Sequence, residues 1–264
     1  IKVNSIKGVG ASAAAITVNN TDGTCTANIT NNLSNRNLII NGAMQVAQRG
    51  TSSSGSSTSV TYQVDRFFVY ADNTDQSSFT RAQVSDAPTG FSKSFKVSVD
   101  AAESALASNE SFQFAQRIEG QNLQHLDNGL STAKSLTLSF FVKSYQTGTF
   151  CVSFYKGDNT VRQITATYTV NQSATWEKKT ITIPGDTSGG GIDDDNGSGL
   201  DLYWYLAAGS NFTSADSTSW GNYSAAGSAF GQTVNVMSST DNYWQITGVQ
   251  LEVGSVATDF EHRS

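Results

Sequence analysis

The sequence predicts an all-β protein, built as an antiparallel sandwich or barrel, and two observations carry that prediction. Apolar and polar residues alternate with a period of two through most of the 264 residues, and helical periodicity is almost absent. The alternating segments are rich in Val, Ile, Thr, Phe and Tyr and are separated by turns rich in Gly, Asn and Asp. Strands spaced in this way, without helices between them, exclude a parallel α/β sheet.

The first part of the chain differs from the rest. Residues 1–36 hold three short β-like pieces, at residues 1–3, 15–18 and 24–29, and none carries enough apolar surface for a core of its own. One interpretation is a disordered terminus. The other, which we adopt as the prediction, is an extended N-terminal arm that orders against partner chains and serves attachment or trimerisation.

From residue 37 onward the pattern predicts one β domain, residues 37–258, followed by a C-terminal tail, residues 259–264. The predicted strands are residues 37–49, 60–70, 77–85, 94–101, 111–120, 134–144, 148–156, 161–170, 175–183, 200–207 and 243–253. Residues 121–126 are expected to make one turn of helix. Two long polar loops, residues 184–199 and 208–235, interrupt the strands, and long loops on a β scaffold are common binding sites.

The last predicted strand contains a change of phase. Trp244 and Ile246 share one face by the period-two rule, whereas Val249 and Leu251 share a face that is out of step with them. A bulge at residues 247–248 restores the phase, and the glycine there permits it.

The partner predicted for this last strand is the first long strand, residues 37–49. Pairing the two would close a β-sandwich, because both segments are apolar and a sandwich must bury both. Gln250 and Glu252 are then expected to face outward or towards a polar seam. The tail is expected to leave the sandwich, with Phe260 anchored in a shallow groove.

Composition argues against several classes of function. The net charge is -6 and only 14% of residues are charged, which argues against nucleic-acid binding and against an anionic membrane surface. No apolar run approaches the roughly 18 residues of a membrane span, and residues 1–10 show no secretory signal. Cys25 and Cys151 are predicted to be reduced thiols, as in a protein assembled in a reducing cytosol.

The sequence predicts no catalytic residues. The two histidines lack metal-ligand spacing, and neither G-x-S-x-G nor H-E-x-x-H occurs. Glu119 lies within a strand, where a second carboxylate on a neighbouring strand would permit glycoside hydrolysis. The alternative is a cross-strand ion network that joins Glu119 and Arg117 with Arg66 or Asp65. We favour the network and predict that the protein is not an enzyme.

One acidic turn suggests a cation site. Asp193, Asp194, Asp195 and Asn196 resemble the start of a calcium loop, although no glutamate stands at its twelfth position. A structural calcium and a solvated acidic turn are the two interpretations, and the sequence predicts no other cofactor.

Four aromatic residues form the candidate glycan site. Tyr203 and Tyr205 alternate with apolar residues in the strand at 200–207, so both are exposed if the apolar set faces the core. Trp220 and Tyr223 lie in the following long loop. Aromatic rings stack on the C–H faces of sugars, although packing under a loop or between subunits is the alternative.

Four separated blocks occur in order from residue 37 to the end, namely NLIINGAMQVAQRG, VDRFFVY, QRIEG and ITGVQLEVGSVATDFEHRS. Together they resemble a domain of structural proteins of tailed bacteriophages, notably fibre-type proteins of phages that infect marine bacteria. An opening NG strand with a closing strand ending in V-x-L is also similar to jelly-roll carbohydrate-binding modules. The resemblance implies a jelly-roll-like antiparallel β-sandwich.

The same resemblance implies a bacteriophage virion structural protein, a tail fibre or related appendage that contributes to recognition of host-surface glycans. It implies a homotrimer, assembled in the bacterial cytoplasm and placed on the exterior of the virion, whose N-terminal arm contacts other virion proteins. Host-surface polysaccharide is the expected ligand, and neither nucleic acid nor membrane insertion is expected. The alternative function is that of a carbohydrate-binding module of a secreted bacterial protein, and an enzyme such as a capsule depolymerase comes third.

Overall fold

The computed structural model describes residues 4–10, 15–18, 21, 25–27, 36–55, 60–74 and 76–262. The chain divides into two compact units, Ile1–Arg36 and Asn37–Ser264. In the first unit, β1 (Ser5–Ile6), β2 (Ile16–Val18) and β3 (Cys25–Ala27) pair in that order as a small antiparallel sheet. Two of the three predicted β-like pieces are therefore strands, and the third, at residues 1–3, lies outside the described residues.

The second unit is a jelly-roll-like antiparallel β-sandwich. Its described part contains β4 (Ser52–Gly55), β5 (Thr61–Tyr62), β6 (Phe67–Asp72), β7 (Ser78–Val84), β8 (Ser94–Ala101), β9 (Ser111–Glu119), β10 (Leu136–Ser144), β11 (Gly148–Lys156), β12 (Arg162–Val170), β13 (Glu177–Ile183), β14 (Ser198–Ala208), β15 (Gly221–Asn222) and β16 (Tyr243–Val253). The six-stranded sheet has the order β13-β10-β16-β8-β7-β4, and the seven-stranded sheet has the order β15-β12-β11-β14-β9-β6-β5.

Eight of these strands form one long hairpin that wraps around itself. β11 pairs with β12 at the closed end, and the pairs β10 with β13, β9 with β14 and β8 with β16 are nested outside it. Successive nested pairs fall alternately in the two sheets, so the hairpin folds over into a sandwich. This nesting is the jelly-roll topology.

The core lies between the inward faces of the two sheets. The ring of Phe114 on β9 lies 4.9 Å from Phe67, 4.8 Å from Phe95, 5.7 Å from Trp204 and 5.4 Å from Trp244, measured between centroids. These five rings come from five strands of both sheets, and each side chain is almost completely buried. Aromatic packing of this kind contributes stability beyond the apolar area that it buries.

The bulge predicted in the last strand is confirmed. Thr247 and Gln250 of β16 pair with Phe141 and Ser139 of β10, so β16 holds one residue more than its partner between these pairs. Gly248 in the bulge has a φ of +63°, and a Cβ atom there would lie 2.7 Å from the Phe91 ring. Glycine is required at this position by both the backbone and the packing.

The prediction of a strand at residues 37–49 is wrong, but its proximity to the last strand is confirmed. Asn41 and Met44 have φ values of +61° and +57°, which interrupt an extended strand. Instead, single hydrogen bonds join the segment to β16, from Leu38 N to Leu251 O (2.8 Å) and from Val249 N to Gly42 O (3.0 Å). β16 takes its ladder partners from β10 and β8.

Other predicted elements need smaller corrections. Residues 60–70 form two antiparallel strands, β5 and β6, because a turn intervenes in which Arg66 has a φ of +74°. The expected helical turn is two 3-10 turns, Gly120–Asn122 and Gln124–Leu126. The remaining strands predicted from residue 77 onward agree with the structure to within two residues at each end. Along the described chain, no helix has the length and apolar character that crossing a membrane requires.

Gln250 and Glu252 face a buried polar seam. Both are almost completely buried, and Gln250 Nε2 donates to Glu252 Oε1 at 3.1 Å. Gln250 Oε1 accepts a hydrogen bond of 2.8 Å from the backbone nitrogen of Glu261. The Phe260 ring lies 5.0 Å from that of Phe91. The segment that follows β16 therefore covers the outer face of that strand.

Replacing Leu251 with alanine is expected to lower the free energy of unfolding by about 2–5 kcal/mol, because Leu251 is fully buried in the core. Gln250→Ala is expected to cost about 1–3 kcal/mol, because its buried partners would lose their hydrogen bonds. Urea unfolding measures both. Val253, which is 39% exposed, is the control, and Val253→Ala should change stability by no more than about 0.5 kcal/mol. Val253 lies on the same face as Leu251 but at the exposed end of the strand, so a Val253→Ala loss as large as that of Leu251→Ala would contradict the burial assigned to these two side chains.

Candidate functional site

A cleft of about 410 Å³ lies on the outer face of the seven-stranded sheet. Its floor consists of outward-facing side chains from β6, β9, β11 and β14, and Phe212, Tyr223 and Ser228 of the loop at residues 208–235 line it as well. The alternation in β14 creates this arrangement. Trp204 is buried in the core, whereas Tyr203 lines the cleft, so the predicted division of faces in this strand is confirmed.

Five aromatic rings form a row across the sheet, with centroids separated in turn by 5.5, 6.4, 6.4 and 5.3 Å. From the β5 edge to the loop, the row consists of Tyr62, Phe68, Tyr203, Tyr155 and Tyr223. Strand register produces the row. Phe68 pairs with Tyr62 on one side and with Ala115 on the other, and Ala115 pairs with Tyr203. The small Ala115 side chain allows the rings on either side to meet.

Asp201 organises the polar part of the floor. Its Oδ2 atom accepts hydrogen bonds from the Tyr203 hydroxyl (2.7 Å) and from Arg117 Nε (3.2 Å), and Oδ1 accepts from the Ser198 hydroxyl. The Arg117 guanidinium also lies 5.0 Å from the centroid of the Phe68 ring. Burial is the largest single influence on Arg117 and opposes its charge, but Asp201 together with Tyr203 and Tyr62 outweighs it and raises the pKa of the guanidinium. The two charges therefore fix each other in place.

The tyrosines of the cleft remain neutral at physiological pH. Burial raises the pKa of every tyrosine that lines it, and the charge of Asp201 raises the pKa of Tyr155 and Tyr203 further. Each phenol therefore keeps its proton and can donate as well as accept a hydrogen bond. The cleft offers apolar ring surfaces beside neutral hydroxyls and one paired guanidinium.

Three of the four predicted glycan-binding residues come together here. Tyr203, Tyr205 and Tyr223 all line the cleft. Trp220 does not: it packs partly buried against the main core, and its Nε1 donates to the Pro184 carbonyl at 2.8 Å.

The expected exposure of Tyr205 is wrong. Only 5% of Tyr205 is exposed, because residues of the long loop fold over this end of β14 and form a small apolar cluster with it. Cys151 and Ala229 are the other fully covered members of that cluster. Cys151 is a free thiol whose pKa is raised by burial, and the side chain of Cys25 lies outside the described residues.

Sequence reasoning missed Phe68, Tyr155 and Arg117 as cleft residues, and Tyr62 as the first ring of the row. The signal for Tyr155 was present, because the neighbouring Phe154 faces inward and the alternation places Tyr155 outward. The other three needed the strand order, which brings together segments distant in sequence.

The acidic turn at residues 193–196 does not gather a metal-ligand group. Asp193 Oδ1 accepts from Asn159 Nδ2 at 3.2 Å, and Asp195 Oδ1 accepts from Gly197 N at 2.8 Å. Across the residues that the structure describes, no group of three or more His, Cys, Asp or Glu side chains is placed to hold a metal ion. The predicted calcium ligands Asp193, Asp194, Asp195 and Asn196 are therefore not assembled as a site.

Two cationic side chains of the protein bind the loop at residues 184–199, which contains the acidic turn. Lys156 is fully buried, and its Nζ donates to the carbonyl oxygens of Gly189 (2.9 Å) and Gly190 (2.7 Å). Arg162 Nε donates to Asp186 Oδ2 at 2.7 Å, and the Asp186 side chain is fully buried while that of Arg162 is 11% exposed. The ammonium group thus binds carbonyl oxygens of the kind that a calcium ion would need.

Glu119 belongs to an ion pair. Its Oε1 lies 3.1 Å from Arg66 Nη2, which confirms this pair of the predicted ion network, whereas Arg117 pairs with Asp201 instead. Hydrogen bonds from Gln121 and Arg66 lower the pKa of Glu119.

No model of a known protein family matches the chain, and no curated protein matches it at a significant level. Solved structures do match. A tailspike protein 4 domain of bacteriophage CBA120, titled enzymatically active, is 13% identical with a TM-score of 0.44, and the match covers 83% of this chain and 21% of that one. The CBM22-2 xylan-binding domain of Xyn10C from Paenibacillus barcinonensis is 16% identical with a TM-score of 0.39 and coverages of 73% and 94%.

The family 11 carbohydrate-binding module of a cellulosomal cellulase from Clostridium thermocellum is 14% identical, with a TM-score of 0.38 and coverages of 78% and 100%. The match to this chain spans only 21% of the tailspike structure.

Lys156→Met is expected to lower the free energy of unfolding by about 1–3 kcal/mol, because the carbonyls of Gly189 and Gly190 would lose the charged donor that the fully buried Lys156 supplies. Since Lys156 fills the role of a cation, millimolar calcium chloride should leave the urea midpoint of the unmodified protein unchanged. Lys178→Met, at an exposed lysine of β13, is the matched control and should be nearly neutral. A rise of the midpoint with calcium would contradict this account of the loop.

Proposed function

We propose that the sandwich is a glycan-binding domain and that the cleft on the seven-stranded sheet holds the sugar chain. The observation that carries the proposal is the row of five rings with Arg117 and Asp201 beside it. Ring faces take the C–H surfaces of sugar rings, and neighbouring hydroxyl and charged groups bond the sugar hydroxyls. The cleft volume, about 410 Å³, lies within the usual range of ligand sites.

We further propose binding without catalysis. Glycoside hydrolysis needs two carboxyl groups, one able to hold a proton and one free to act as nucleophile or base. Asp201 is committed to three donors of its own chain, and Glu119 is paired with Arg66. Both arrangements favour carboxylates that organise the floor of a binding site.

The biological setting that we propose is a tail fibre or related appendage on the exterior of a phage virion. The support is the ordered set of four sequence blocks from residue 37 to the end. In this setting the protein is a homotrimer that contacts other virion proteins through residues 1–36 and binds host-surface polysaccharide. A carbohydrate-binding module of a secreted bacterial protein would use the same cleft, and the two settings differ in oligomeric state.

Tyr223→Ala is expected to weaken binding to any recognised glycan by about tenfold or more, because an aromatic anchor of the row is removed. Tyr145→Ala is the matched control, since Tyr145 is 46% exposed and Tyr223 is 45% exposed, but only Tyr223 lines the cleft. A glycan array identifies the ligand, and titration calorimetry measures both variants. Equal affinities of the two variants would place the site elsewhere.

Light scattering is expected to give the mass of a trimer for the full chain. A shortened chain that begins at residue 37 should be folded, because the second unit is compact by itself, but monomeric if residues 1–36 hold the trimer together. A monomeric full chain would contradict the trimeric appendage and favour the secreted module. If the shortened chain is still a trimer, only the proposed role of residues 1–36 is contradicted.

A further inference from the structure

We propose that the ligand is an acidic polysaccharide and that a guanidinium cluster, Arg49, Arg66 and Arg117, binds its carboxylate or sulfate group. The inference rests on the proposed function and names the substrate class of the same site. It follows from the arginine-lined pocket at the β5 end of the aromatic row.

A second pocket, also of about 410 Å³, adjoins the cleft at that end and shares Arg117 with it. Arg49, Arg66 and Arg117 all line this pocket, and Glu119 is its one carboxylate. Two further carboxylates lie directly behind the lining, because Asp65 is 4.0 Å from Arg49 and Asp201 is 3.2 Å from Arg117, so three carboxylates balance the three guanidinium charges. The pocket therefore offers an anionic group the unused N–H donors of charged guanidinium groups, without a net positive charge.

The aromatic row places two of these arginines beside the path of the sugar chain. The Arg49 guanidinium lies 5.5 Å from the centroid of Tyr62, and that of Arg117 lies 5.0 Å from the centroid of Phe68. Tyr62 and Phe68 are the first two rings of the row. Phe68 is only 2% exposed, so a sugar ring at this end stacks on the partly exposed Tyr62 and presents its substituents to the guanidinium groups.

The arginines keep donors available for an anion. Guanidinium groups carry five N–H donors in a planar fork that suits carboxylate and sulfate oxygens. Arg66 contributes Nη2 to Glu119 and Arg117 contributes Nε to Asp201, while Arg49 meets Asp65 only at 4.0 Å. The side chains of Arg49, Arg66 and Arg117 are 65%, 37% and 47% exposed, so a ligand can reach them.

The test uses affinity electrophoresis of the full chain through gels that contain matched neutral and acidic polysaccharides. The pairs are galactan with polygalacturonate, which tests a carboxylate, and dextran with dextran sulfate, which tests a sulfate. The variants are the double substitution Arg49→Gln with Arg66→Gln, the cleft variant Tyr223→Ala, and, as the control, Lys178→Gln, which removes one positive charge on the edge strand of the other sheet. Circular dichroism and urea unfolding establish that each variant is folded.

We expect the acidic member of at least one pair to retard the protein more than its neutral partner. The affinity of the double arginine variant for this acidic polysaccharide should be lower by a factor of about ten or more. Raising sodium chloride from 50 to 300 mM should also lower the affinity of the unmodified protein. Lys178→Gln should bind as the unmodified protein does. Which acidic member binds distinguishes carboxylate from sulfate recognition.

The outcomes separate the inference from the proposed function. Stronger binding to the neutral polysaccharides overturns the acidic ligand and leaves the glycan site intact. Full binding by the double arginine variant, together with loss of binding by Tyr223→Ala, does the same. Retardation that neither variant reduces overturns both. Absence of retardation in all four gels overturns the acidic ligand, and the glycan array then decides the fate of the glycan site.

Discussion

The packing of Phe114 against four rings from both sheets is the contact on which the arrangement of the domain depends. Phe114 lies on β9, and its partners Phe67, Phe95, Trp204 and Trp244 come from β6, β8, β14 and β16. Because side chains alternate along a strand, an inward Phe114 fixes which of its neighbours point outward. The floor of the cleft is thus the reverse side of the core, and the register of the core determines the register of the site.

Period-two alternation was sufficient to predict most of the strands and their inward faces. It failed where the backbone departs from an extended strand, as at Asn41 and Met44, whose positive φ values break the predicted first strand. Alternation also says nothing about what covers an outward face. Tyr205 is outward in β14 and nevertheless buried, because the long loop folds over it. Trp220 lies in that same loop and packs against the core, a contact that no local pattern indicates.

The candidate site could be predicted only in part for a related reason. Tyr203 and Tyr223 stand out in the sequence as aromatic residues in a strand and in a polar loop. The row that joins them also needs Tyr62, Phe68 and Tyr155, which become neighbours only through the pairing of β5, β6, β9, β14 and β11. Residues of one local segment carry too little of this pattern to reveal it. Arg117 was identified for its ion network, and its place between two pockets depends on the same non-local pairing.

The nested hairpin also has a consequence for the order in which the protein is made. The pairing of β11 with β12 is local in sequence, whereas β8 must wait for β16, so that Ser98 meets Tyr243 only after every strand from β9 to β15 has been synthesised. Pairings between distant segments are slow to form, because loop closure precedes the contacts that reward it. Before β16 arrives, Phe95, Phe114 and Trp204 lack the Trp244 side of their cluster. During synthesis, the apolar faces of both sheets therefore stay incompletely covered until the last strand emerges. A chain truncated before residue 243 would expose apolar core side chains and be prone to aggregation.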